Sequence, residues 1–115
     1  MSNEKKDSRT QFVRGTLDLM ILRSLESLGP LHGYAIAARL EQISRGALVP
    51  NMGTLYPGLM RLEQRGLIRA SWGTTENNRK ARYYRITAAG RRELAAEKKE
   101  WDRMVSIMHA LFGDA

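Results

Sequence analysis

Two short stretches gather the side chains that could hold a polyanion. The first runs from Gly53 to Gly66 and carries Arg61 and Arg65; the second, Asn77 to Tyr84, carries Arg79, Lys80 and Arg82 beside Tyr83 and Tyr84. Guanidinium and ammonium groups pair with phosphate oxygens, and arginine does so in a planar, two-pronged geometry. Nothing nearby points to covalent chemistry: no nucleophile is paired with a base, and His32 and His109 lie far apart. The chain has no cysteine, which removes disulfides and Cys-based zinc sites, and no His/Asp/Glu cluster has ligand spacing. We expect no metal, no cofactor and no enzymatic activity.

The Gly53–Gly66 stretch reads as a helix with two faces. Leu55, Leu59 and Leu62 recur at helical spacing and belong inside, whereas Pro57, Arg61, Gln64 and Arg65 fall on the other side. A proline is tolerated in the first turn, so Thr54 is the expected N-cap, and Gly66 supplies the left-handed stop. Pro57 and Gly58 read as devices that bring this turn close to a ligand. A helix with a cationic outer face, followed by a cationic hairpin, is an arrangement suited to a DNA duplex.

The remaining elements must position these two. Residues 1–14 are polar and form a flexible arm, with Phe12 and Val13 as its only anchors. Thr16 is the expected cap of helix one, with Leu17, Ile21, Leu25 and Leu28 as its stripe and Gly29-Pro30 as its end. Helix two runs from about His32 to Ser44, burying Ile36, Ala37, Leu40 and Ile43. Gly33 costs it roughly 1 kcal/mol of propensity, which implies that a neighbouring backbone or a phosphate approaches closely. Strands follow at Leu67–Trp72 and Arg82–Ile86, the first with Ile68, Ala70 and Trp72 on one face, the second with Tyr84 and Ile86. Trp72, Tyr83 and Tyr84 read as wing and core packing in preference to base stacking. Asn77 and Asn78 shape the turn between the strands.

Thr87 then caps a helix to about Phe112, roughly 39 Å long and too long for so small a domain to cover. Leu94, Lys98, Trp101, Val105, Met108 and Phe112 alternate steps of four and three, and Met104 and Leu111 widen the stripe. The pattern predicts a homodimer through this helix; its rival is packing on the chain's own N-terminal domain. The expected fold class is mainly α with a small β-hairpin, divided into the arm 1–14, a winged helix-turn-helix DNA-binding domain 15–86, and a C-terminal dimerisation helix 87–115.

The 115 residues carry a formal charge of +7, and 12 of the 19 Lys/Arg fall within residues 61–103. That imbalance favours a polyanionic partner but does not select a fold. There is no apolar leader and no stretch of the roughly 20 apolar residues a membrane span needs, so a cytoplasmic protein is expected.

Several words of the sequence occur in a telling order: Gly15-Thr16-Leu17-Asp18-Leu19, Gly29-Pro30-Leu31-His32-Gly33-Tyr34, Gly53-Thr54-Leu55-Tyr56-Pro57 and Leu62-Glu63. Then come Gly66-Leu67-Ile68, Glu76-Asn77-Asn78-Arg79, Tyr83-Tyr84 and Ile86-Thr87-Ala88-Ala89-Gly90. With these words the chain resembles the PadR family of bacterial transcriptional regulators over residues 13–112, in its compact form with a single C-terminal helix. The resemblance implies a dimeric winged-helix repressor on a palindromic operator, with the third helix in the major groove and the wing on the adjacent backbone or minor groove. It places Thr54, Tyr56, Pro57 and Arg61 at the recognition helix, Tyr34 near phosphates at the start of helix two, and Arg79, Lys80 and Arg82 at the wing. Tyr56 could instead pack its ring against helix two, Arg65 at the helix end could simply favour the dipole, and Arg91 and Arg92 could be a solvated helix face.

Two other functions share the same residues. A nonspecific nucleoid or RNA-binding protein would use the same basic surface, and a winged-helix interaction module would not need it. Some compact relatives bind planar aromatic compounds between subunits, which makes Trp101 a candidate effector contact as well as an interface residue.

Overall fold

The computed structural model describes residues 16–113. The arm 1–14, with Phe12 and Val13, lies outside the described residues.

Helix α1 occupies residues 16–28, with Thr16 already helical, and ends where Gly29 turns into the left-handed region at φ 81°. Its stripe is buried at Leu17, Ile21, Leu22 and Leu25, whereas Leu28 is exposed at the end of the helix. Strand β1, Leu31–His32, leads into α2, Gly33–Ile43. The His32 side chain caps α2 by accepting the Ala35 backbone N–H at Nδ1, 3.2 Å away. Ile36 and Leu40 are buried, but Ile43 is exposed. The helix ends at that residue and the chain turns at Arg45 and Gly46, both at positive φ, so the Ile43 side chain passes the edge of the core.

Helix α3 spans Met52–Gln64 and starts earlier than its proline suggests. Asn51, not Thr54, is the N-cap: its side-chain oxygen accepts the Thr54 N–H at 2.9 Å. Thr54 is therefore inside the first turn, and Pro57 sits in the second. Leu55, Leu59 and Leu62 are fully buried, and Gly66 makes the left-handed stop at φ 74°.

Strands β2, Ile68–Thr74, and β3, Lys80–Ile86, pair antiparallel with Ile68 opposite Ile86, Ala70 opposite Tyr84 and Trp72 opposite Arg82. β1 adds to the free edge of β3, with Leu31 opposite Tyr84, so the sheet has three strands in the order β1-β3-β2. A two-residue strand carries no periodicity, which is why sequence reading merges it with the start of α2. At the wing tip Asn78 takes the left-handed conformation at φ 59°, as its type suggests.

Helix α4, Ala88–Phe112, is capped by Thr87, whose hydroxyl accepts the Gly90 N–H at 3.0 Å and donates to the Gly66 carbonyl at 2.7 Å. A Cβ on Gly90 would lie 2.1 Å from the Leu67 carbonyl oxygen, so only glycine allows the helix to start this close to β2. One core joins α1, α2, α3, the sheet and the first turns of α4 through Leu94. Each fully buried Leu or Ile in it contributes about 1.5–3 kcal/mol. Beyond Leu94 the rest of α4 departs from that core.

Candidate nucleic-acid interface

A groove of about 810 Å³ opens between the start of α2, Tyr56 of α3 and the wing. Tyr34 and Tyr56 line it from the helices; Trp72, Arg79, Lys80 and Arg82 line it from the hairpin. Five of the eight residues expected at the interface thus meet in one place, although they come from three separate segments. Thr54 and Pro57 are exposed on α3 but do not line the groove. Tyr34 is 68 % exposed and Tyr56 43 %, so neither ring has the burial of a core aromatic.

The cations divide into two groups. Arg79 and Lys80 are exposed at the wing, and neither forms an ion pair among the described residues. Arg61 behaves differently. Its Nη2 donates to Asp18 Oδ1 at 3.0 Å, its side chain is only 31 % exposed, and its Nε is buried without a partner. The expectation of Arg61 on the open face is therefore corrected: the residue braces α3 against α1. The reason is Gly58, one turn earlier, where a Cβ would come within 3.3–3.4 Å of Asp18, Arg61 and Ile21. Gly58 thus faces α1 where the two helices meet.

Arg82 is intermediate. It donates to Glu63 Oε2 at 2.9 Å while its guanidinium lies over the Tyr84 ring, 5.9 Å from the centroid. The wing is thereby tied to the last turn of α3. Arg65 likewise pairs with Glu93 of α4 at 3.2 Å. Tyr84 sits beneath this cluster; burial, chiefly, raises its pKa above 10.0, with Glu63 and Tyr56 adding to the rise and Arg82 opposing it.

Other expectations shift in detail. Gly33 is approached by side chains of α3, since a Cβ there would lie 3.1 Å from Met52 Cε and 3.4 Å from the Tyr56 hydroxyl. The Tyr56 ring thus does pack against α2, while its outer part faces the groove. Tyr83 meets His32 edge-on at 5.4 Å and covers Gly73. Trp72 is the largest departure: it is 71 % exposed, not packed. Met60, 58 % exposed on α3, escapes a reading that looks only for charge on the outer face.

On α4, Leu94 is buried in the core of its own chain and not available to a seam. Trp101, Met104, Met108, Leu111 and Phe112 are exposed, together with Ile107, and Val105 is half-buried. No described residue covers this apolar face. Among the described residues, no helix is long and apolar enough to cross a membrane, and no group of acidic or histidine side chains could hold a metal.

Residues 21–96 match the model of the transcriptional regulator PadR-like family. A protein of Lysinibacillus sphaericus, described as uncharacterized protein X, is 32 % identical over 100 residues, covering 87 % of this chain and 91 % of its own. A transcriptional regulator from Clostridium thermocellum superposes with a TM-score of 0.78 at 29 % identity, covering 87 % of this chain and 96 % of that one. A PadR family transcriptional regulator from Eggerthella lenta gives 0.75 at 27 % identity, over 99 % and 97 % of the two chains.

Proposed function

The chain belongs to the transcriptional regulator PadR-like family, whose members are DNA-binding regulators and not enzymes, and on that premise we propose that it is a homodimeric repressor of a palindromic operator. The observation that carries the proposal is the single groove that collects Tyr34, Tyr56, Arg79, Lys80 and Arg82 alongside α3. In this reading α3 enters the major groove with Thr54, Tyr56 and Pro57, and the wing cations hold phosphates. Arg61 acts from behind by holding α3 at its angle to α1. The division into a DNA-binding unit over 15–86 and a dimerisation helix over 87–115 belongs to the same proposal.

Pairing of α4 with a second copy accounts for an apolar face that a free monomer would leave in water. Trp101, Met104, Val105, Met108, Leu111 and Phe112 form the interface in this reading. A small planar aromatic compound entering beside Trp101 would loosen the pair and relieve repression. Titration of such compounds against tryptophan emission and operator affinity checks that element, and no response in either measurement removes it.

Footprinting across the promoter regions of neighbouring genes tests the main proposal. A protected two-fold site that resists excess unrelated DNA is the expected result. Protection that disappears into unrelated competitor would instead favour a nonspecific binder.

A further inference from the structure

We propose that Trp72 packs its indole ring on the deoxyribose wall of the bound duplex, as an apolar contact in the same groove as the phosphates that Arg79 and Lys80 hold. The inference rests on the DNA-binding reading above. Its starting point is position: Ile68, Ala70 and Trp72 alternate along one face of β2, and on that face Ile68 is buried, Ala70 half-buried and Trp72 71 % exposed. Of the partners opposite them, Ile86 and Tyr84 are buried and only Arg82, opposite Trp72, is exposed. The face that forms the core thus continues past the body of the protein and ends on a bare tryptophan.

A ring of that size left in water is costly, and what covers it must fit its surroundings. Trp72 lines the same groove as Tyr34, Tyr56, Arg79, Lys80 and Arg82. A second copy of this chain meeting itself there would bring Arg79 and Lys80 against their own equivalents. A duplex meets the charge requirement instead: its phosphates take the cations, and the sugars between them present C–H surface to the ring. Such a contact expels water and releases no counterion. It therefore has a signature that distinguishes it from every cation in the groove.

Full-length protein, Trp72→Ala, Trp72→Phe and Arg79→Ala are compared on a duplex recovered by selection and on an unrelated duplex of equal length, across a salt series. Melting curves first establish that each variant is folded. Trp72→Ala should bind about tenfold more weakly at every salt concentration, with an unchanged slope of log affinity against log salt, while Trp72→Phe retains most of the affinity. Arg79→Ala should lower that slope by about one per protomer. The loss in Trp72→Ala should be similar on both duplexes, because sugars carry no sequence. Duplex-induced quenching of tryptophan emission should also be largely lost in Trp72→Ala, leaving the Trp101 contribution. Wild-type affinity in Trp72→Ala, or a change in its sedimentation as a dimer, overturns the inference. Failure of the wild type to bind either duplex overturns the DNA-binding reading itself.

Discussion

Arg61 and the pair Arg79–Lys80 have the same charge and lie on the two elements that flank one groove, yet they differ in what neutralises them. Arg61 is held by Asp18 of α1 at 3.0 Å and partly buried, whereas Arg79 and Lys80 reach solvent without an ion-pair partner among the described residues. The contrast separates a cation that ties α3 to α1 from cations whose charge no carboxylate among the described residues takes up. Charge on a helix face does not by itself identify a ligand contact; what matters is whether a carboxylate already occupies it.

The strongest test of this contrast is to remove Asp18. Asp18→Ala leaves a partly buried guanidinium without its counter-ion, so thermal or urea unfolding should show a loss of about 1–3 kcal/mol. Equal stability would mean that the brace is only a surface pair. The converse substitution follows: Arg79→Ala combined with Lys80→Ala should leave stability within about 0.5 kcal/mol while weakening DNA binding and flattening its salt dependence by about two per protomer. An unchanged salt slope would remove the wing from the interface.

Arg82 should fall between the two. Glu63→Gln breaks its ion pair, an exposed one, and should lower stability by no more than about 1 kcal/mol. Its larger effect should be on discrimination between the selected duplex and an unrelated one, since the wing is no longer tied to α3. Competition binding measures that ratio, and an unchanged ratio would leave Glu63 no positioning role. The smallest expected effect is at high pH. Tyr84 is raised above 10.0, chiefly by burial, so the folded state keeps a proton that the unfolded chain gives up. The stabilisation is complete below pH 10.0 and is lost as pH rises through the folded value. Urea midpoints between pH 9 and 11 should fall more steeply in wild type than in Tyr84→Phe.

Much of the frame was legible because it is local. The leucines of α3 follow helical spacing, Gly66 and Asn78 stand where the backbone needs positive φ, and Thr87 caps α4 from its own position. What sequence reading misplaced depends on partners distant along the chain. Arg61 meets a carboxylate 43 positions away, and Gly58 answers to the same helix. Trp72 shows a different limit: alternation correctly gives its face, but not where along the strand the body of the protein ends. Pro57 misled the start of α3 because Asn51 offers a better cap one turn earlier. The apolar stripe of α4 follows from its spacing, although its first member, Leu94, serves the core, and Ile107 lies outside the seam pattern.

In the proposed dimer, two copies of α3, spaced by paired α4 helices, read one symmetric site. Selection from a pool of random duplexes tests it most directly, because sequence, symmetry and spacing emerge from one experiment. Two inverted half-sites with centres roughly 34–36 Å apart, one helical turn of DNA, are the expected result. An enriched site without two-fold symmetry, or no enrichment at all, would contradict it.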